Sequence, residues 1–207
     1  MAPSALERGA TAILEALGRR LWGFPPRLMA PIVAQLGPVR ALGWFVRNMP
    51  KYERTLKALG ETRTHLLCVG ISLINGCPYC TYGHAYAFEL AHLAEYGRLF
   101  PLDEQAISAM VGLPPAQVRH QLVKATQAAG LHLDALWLDR TITLATSADH
   151  RPAEPNEERI AHLVTMFGTL NRVGRTSGAE PDEAHSPLNK NVALKLRYAV
   201  MRASATS

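Results

Sequence analysis

From Thr62 the chain becomes apolar almost all round, in the run "THLLCVGISLIN", and no other stretch limits the possible folds as strongly. A helix that is hydrophobic on every side has no face to offer water, so other helices must enclose it. The run stops at Gly76, and the next helix is expected at once. Pro78 suits a first helical position and Cys77 its cap, while Ala85, Ala87, Leu90, Ala91 and Leu93 carry the pattern toward Tyr96.

The remainder reads as more helices. Ser4 and Glu7 form a capping box, followed by Leu6, Ala10, Ile13, Leu14 and Leu17 at helical spacing up to about Gly18. "GFPP" and Gly37-Pro38 cut the following stretch into short pieces, and Pro50 and Gly60 bound another. Further helices are expected from about Asp103, over Pro115 to Ala129, Asp134 to Thr146 and Asn156 to Val173. No pair of alternating β-branched runs is joined by a turn, so the expected class is all-α, one domain over residues 1–207. The polar "GRTSGAEPDEAHSP", Gly174 to Pro187, reads as a flexible connector to a last helix over residues 188–203.

Composition narrows the function classes. With 48% hydrophobic residues, 207 residues can build a substantial core, and three cysteines do not make a disulfide framework, so a reducing compartment is expected. The N-terminal stretch interleaves Glu7, Arg8, Glu15 and Arg19 with its apolar residues, which fits neither a signal peptide nor a membrane span. The expectation is a soluble, cytoplasmic protein without a membrane partner. The net charge of +5 is spread out, and the basic C-terminal "KNVALKLRYAVMRAS" reads as a solvated helix face rather than a nucleic-acid site.

Chemistry concentrates in "NGCPYCTYGHAYAF", Asn75 to Phe88, which contains C-x-x-C-x-x-x-H. At a helix N-terminus the unpaired N–H groups and the dipole favour thiolate over thiol. The i,i+3 spacing puts Cys77 and Cys80 on one face, near enough for a disulfide, and His84 lies one turn beyond Cys80. Cys80 is read as the nucleophile and Cys77 as its resolving partner. "CPYC" is also a glutaredoxin-type dithiol, but that fold needs a strand just before it and a βαβ pattern around it. His65, Cys68, Cys77, Cys80 and His84 supply enough donors for zinc, yet Cys68 lies mid-helix and there is no second short ligand knuckle. Cys68 reads as a small core residue, and neither metal nor cofactor is expected.

"LINGCPYCTYGHAYAFEL", together with "MFGTLNRV" at Met166 to Val173, resembles the AhpD-like alkyl hydroperoxidase branch of the carboxymuconolactone decarboxylase superfamily. The similarity spans about Arg63 to Leu93 and Phe167 to Val173. It implies an all-helical domain that assembles into dimers, trimers or hexamers. It also implies a peroxidase cycle: Cys80 attacks an organic hydroperoxide and becomes a sulfenic acid, and Cys77 condenses with it to a disulfide. A dithiol electron donor, either a lipoyl adaptor or a thioredoxin-like protein, would restore the pair. His84 matches the family's histidine, which polarises the thiol and passes a proton onward. The family's relay glutamate stands about a dozen residues before the first cysteine, where this chain has His65, with Glu61 one turn earlier. His65 can accept a proton but brings no fixed negative charge; its alternative is a histidine satisfied by a backbone carbonyl.

The expected activity is therefore thiol-dependent hydroperoxide reduction. The alternatives are a non-peroxidatic binding or assembly protein of the same fold, or a decarboxylase-like enzyme acting on a small carboxylate. Tyr79, Tyr82, Tyr86 and Phe88 can line a substrate pocket or pack helices together, and packing is the preferred reading. Trp22, Phe24, Trp44 and Phe45 read as core or oligomer interface rather than a membrane-surface segment.

Overall fold

The computed structural model describes residues 2–147 and 151–205; residues 1, 148–150, 206 and 207 lie outside the described residues. In chain order the helices are α1 (Ala5–Trp22), α2 (Met29–Leu36), α3 (Pro38–Leu59), α4 (Glu61–Ile74), α5 (Pro78–Tyr96), α6 (Glu104–Ser108), α7 (Pro115–Ala128), α8 (His132–Thr146), α9 (Pro155–Ser177) and α10 (Val192–Ala205). A short 3-10 turn, Pro187–Lys190, precedes α10, and there is no strand among the described residues. Nor is any single helix there long and apolar enough to cross a membrane.

The apolar run becomes α4, and every residue from Thr64 to Leu73 is buried. It pairs with α5 as a hairpin and also touches α3, α7, α8 and α9, which is the enclosure an all-round apolar helix requires. One core fills the space between α4, α5, α7 and α8, with Phe88, Leu122 and Leu138 fully buried in it. A second core joins α1, α2 and α3 to the start of α5 and includes both Cys77 and Cys80. The motif cysteines thus lie on the seam between the α4–α5 hairpin and the N-terminal helices.

Helix ends differ from the sequence expectation where a glycine or proline has another use. α1 runs past Gly18 to Trp22, because a Cβ at Gly18 would lie 2.2 Å from Pro26 Cδ: the glycine permits a close crossing, and the stop is Gly23 at φ 89°. α3 runs through Pro50 instead of beginning there. An interior proline costs roughly 3 kcal/mol. Burial of Ala41 and Phe45 before it, and of Tyr52 and Leu59 after it, offsets that cost.

The presumed connector is divided by the structure. Residues to Ser177 continue α9, and the rest is anchored, with Ala184, His185 and Ser186 buried. The last helix is likewise tied down rather than simply solvated. Arg202 pairs with the fully buried Glu89 of α5 and also donates to Leu102 O at 3.1 Å, and Lys195 Nζ pairs with Glu183 at 2.7 Å. Burial pushes the Glu89 carboxyl up to about 8 even against the opposing pull of Arg202, so near neutral pH the group holds a proton much of the time and Arg202 serves it mainly as a hydrogen-bond partner.

Removing one partner of a buried pair leaves the other uncompensated. Because Glu89 can take a proton instead of standing as a bare charge, Arg202→Ala should lower the unfolding free energy at pH 7 by about 1–2 kcal/mol, mostly the lost hydrogen bonds. Urea denaturation measures this, and adding Glu89→Gln to the same chain should recover part of the loss.

Candidate active site

The site begins with a turn. α4 ends in a Schellman arrangement, with Cys77 N–H donating to Ser72 O and Gly76 N–H to Leu73 O, both at 3.0 Å. Gly76 holds the left-handed conformation this requires, φ 67°. The next residue, Cys77, is already the N-cap of α5, and Pro78 occupies its first turn. The "NG" before the cysteines is thus the device that reverses the chain and delivers Cys77 to a helix N-terminus.

At that terminus the two thiols are unequal. Cys77 Sγ accepts a hydrogen bond from Cys80 N–H at 3.5 Å. The hydrogen bond from the Cys80 side chain acts with the backbone N–H groups of Cys80 and Tyr79 and with Asn171, against burial, and brings the Cys77 thiol down to about 7. Cys80 moves the other way: its bond to Cys77, then burial, then the charge on Cys77 push it well above an ordinary thiol. The pair titrates as a unit, with the first thiolate at Cys77 and the remaining proton on Cys80.

Asn171, in the "MFGTLNRV" segment of α9, is fully buried and was not singled out from sequence. It donates to Ser72 Oγ at 3.1 Å and accepts from Asn75 Nδ2 at 2.9 Å, which locks α9 onto the turn beside the sulfurs. On the same helix, a Cβ at Gly174 would stand 2.6 Å from Cys77 Sγ, so this glycine lets α9 lie directly over that sulfur.

His65 on α4 and His84 on α5 meet across the hairpin, Nδ1 to Nδ1 at 3.0 Å. His65 Nε2 is buried without a partner. The cheaper neutral tautomer therefore places the His65 proton on Nδ1, donating to His84, and leaves the His84 proton on Nε2. Burial, then the charge of His185, bring His65 down to about 3; the same causes, with His65 added, depress His84 as well. Glu61 does not join them: it is exposed at the start of α4, and burial and Glu53 push its carboxyl upward.

A third imidazole completes the cluster. His185 lies edge-on to His84 at 5.2 Å between ring centroids and tilted against Tyr79 at 4.9 Å, with Trp22 stacked on it at 5.5 Å. Its Nε2 is 3.2 Å from Asp182 Oδ1. Neither residue was read as functional from sequence, because composition assigned their segment to a connector.

Cys80, His84 and His185 share an apolar cavity of about 40 Å³ with Trp22, Met29, Trp44, Phe45, Met166 and Phe167 among its walls. Since one water needs roughly 10–15 Å³ of such space, the cavity admits a few waters or the reactive end of a larger molecule. Of the four motif aromatics, only Tyr79 lines it. Tyr82 and Tyr86 turn toward each other, with Tyr198 beyond Tyr86, and Phe88 packs edge-on against Phe100. The N-terminal tryptophans, read as core or interface, pack against the core and also wall the cavity.

Cys68 stays apart with Tyr52, Ile71 and Leu163, and burial raises its thiol. Among the described residues, no three His, Cys, Asp or Glu side chains are grouped so as to hold a metal ion. No family model, curated protein or solved structure matches this chain.

Two outcomes follow from these shifts. Thiolate absorbance of the folded protein should show an inflection near pH 7 that is lost in Cys77→Ser, and Asn171→Leu should move it upward; ultraviolet titration, which needs no reagent to enter the buried site, reads both. Acid should also destabilise the fold. An unfolded histidine takes a proton below about 6.5, whereas His65 resists until about 3, so the unfolded state binds more protons in that window and stability falls as pH drops. At pH 5, His65 alone removes about 2 kcal/mol, and His84 adds to the loss, measurable as a reduced urea midpoint relative to pH 7.

Proposed function

We propose that this protein is a thiol-dependent hydroperoxide reductase. The reading is carried by one observation: Cys80 and His84 open onto the same apolar cavity, while Cys77, fully buried at the helix N-terminus, holds the readier thiolate. The resemblance of the C-x-x-C-x-x-x-H region to AhpD-like hydroperoxidases points the same way.

Cys80 is the sulfur a substrate in the cavity can reach. It attacks the outer oxygen of R–O–O–H, the O–O bond breaks, Cys80 becomes a sulfenic acid and the alkoxide leaves as the alcohol after taking the displaced proton. Sulfur loses two electrons and the peroxide gains them. The Cys77 thiolate then attacks the sulfenic sulfur, forming the disulfide and releasing hydroxide, which solvent protonates to water. A dithiol donor reduces the disulfide by exchange and is itself oxidised. The division of pKa values suits these roles, since the resolving sulfur waits as thiolate where no peroxide reaches it. Apolar walls of tryptophan, methionine and phenylalanine favour an organic over a purely polar hydroperoxide. On the outer face of α10, exposed Val192, Leu196 and Val200 recur every fourth residue, which supports self-association of the chain.

With cumene hydroperoxide and dihydrolipoamide, the purified protein should consume peroxide catalytically. Cys80→Ser should abolish turnover, and Cys77→Ser should stop after one equivalent with a dimedone-reactive sulfenic acid on Cys80. Turnover that survives Cys80→Ser would overturn the proposal.

A further inference from the structure

The hairpin α4–α5 presents its reacting thiol with two imidazoles and no carboxylate. His65 and His84 are both neutral under ordinary conditions, and both are held so by burial. A base that resists protonation to this degree does not take up a thiol proton near neutral pH. The site therefore needs another proton acceptor.

The segment after α9 brings one. Asp182 and His185 are each about nine-tenths buried or more, with side-chain exposures of 7% and 6%. The Asp182 carboxylate accepts from Tyr79 Oη–H at 2.9 Å and Arg27 N–H at 3.0 Å on one oxygen, and from Glu183 N–H at 2.9 Å and His185 Nε2 at 3.2 Å on the other. Burial alone would raise this carboxyl, but the hydrogen bond and then the charge of His185, with the N–H groups of Arg27 and Glu183, hold it below the usual range, so it is an anion. With Nε2–H committed to that anion, His185 presents Nδ1 as its lone-pair nitrogen.

The helix is shaped to receive this ring. A Cβ at Gly83, one residue before His84, would stand 2.3 Å from His185 Cε1 and 2.5 Å from Nδ1. His185 N–H also donates to Gly83 O at 3.0 Å. Glycine inside a helix costs up to about 1 kcal/mol relative to alanine, and here the missing side chain is the space His185 occupies.

We infer that His185, oriented by Asp182, is the acid–base group of this site, taking the Cys80 thiol proton as sulfur attacks and returning it to the departing alkoxide. This rests on the peroxidatic reading of Cys80. The proton leaves sulfur as the S–O bond forms, resides on the imidazole while the O–O bond breaks, and ends on the alcohol, so nothing is gained or lost outside the reaction. Asp182 is the positioning residue, which stabilises the transient imidazolium as the aspartate of a catalytic triad does. The ring faces Trp22 and Phe24 on its N-terminal side, Tyr79, Gly83 and His84 on α5, and Asp182 on its own segment. His65, through its effect on His84, and Cys80, across the cavity, are the remaining titratable neighbours; Arg27 reaches Asp182 through its backbone N–H and sends its guanidinium to exposed Glu180.

The test uses full-length His185→Gln, Asp182→Asn and Gly83→Ala, each checked for unchanged circular dichroism. Gly83→Ala is decisive if the polar variants fold poorly, since it removes no functional group, favours helix and displaces the ring by contact alone. Single-turnover oxidation of Cys80 by cumene hydroperoxide should slow about a hundredfold in His185→Gln, with a flattened pH profile near neutrality, and Gly83→Ala should reproduce it. Asp182→Asn should shift the profile with a smaller loss. In a Cys77→Ser background, ultraviolet thiolate titration of Cys80 should move up by about one pH unit or more when His185→Gln is added. An unmoved Cys80 titration overturns the inference whether or not the protein reduces peroxides. Rapid peroxide reduction with His185→Gln within about threefold of wild type overturns it while leaving the peroxidase reading intact. A shifted titration in a protein that consumes no hydroperoxide upholds the coupling of His185 to Cys80 and removes the peroxidase reading instead.

Discussion

Everything at the site depends on the reversal at Asn75–Gly76. Because Gly76 can hold a positive φ, α4 closes with its carbonyls satisfied and the very next residue, Cys77, caps α5, so only three residues join the two helices. That absence of slack sets the register of the hairpin. His65, in the second turn of α4, is brought opposite His84, in the second turn of α5, at hydrogen-bond distance. It also leaves Cys77 as a cap rather than a helical residue, so its sulfur takes N–H groups that would otherwise be orphaned. A longer connection would relax both relations together.

Those features were legible in sequence because they are local. The cap, Pro78 at the first turn, the i,i+3 cysteines and the histidine one turn on are all relations within eight residues, and the buried helix declared itself by lacking a polar face. What escaped was set at long range. Asn171 reaches the sulfurs from α9, and Asp182 and His185 arrive from a segment whose Gly, Pro, Ser and acidic residues have the composition of a linker. Composition predicts poorly where a few specific bonds hold a segment in place, as those donated by Arg27 and Tyr79 and the one accepted by Gly83 O do here. The signals were present as glycines within helical patterns: Gly18, Gly83 and Gly174 each mark a point where another part of the molecule comes too close for a Cβ. Pro50 shows the converse, a local rule overruled by buried side chains on both sides of it.

The route by which negative charge enters the cluster has a physical logic. A carboxylate at position 65 would lie in a segment of α4 that is buried throughout, with only His84 to bond to, and burial would raise its pKa and neutralise it. Asp182 is nearly as buried, but it sits where the chain is irregular, and irregular backbone has N–H groups to spare. Arg27 and Glu183 donate theirs, Tyr79 adds a hydroxyl and His185 its ring N–H, with its charge when protonated, so the anion is stabilised in place. A helix interior cannot offer this, since its own N–H groups are already committed to carbonyls one turn back.

The same reasoning separates the three imidazoles. His65 and His84 bond mainly to each other, and a pair of mutually tilted neutral rings in an apolar seam can orient and polarise but holds a proton poorly. His185 bonds to an anion, and a ring so held can carry positive charge for the lifetime of a transition state. Division of labour follows from the partners, not from the residue type: the hairpin pair fixes His84 against Phe167 and the cavity wall, while the ring delivered by the C-terminal segment handles the proton. The hairpin therefore needs no carboxylate at position 65 for negative charge to stand beside the cluster, because Asp182 brings it from outside the hairpin.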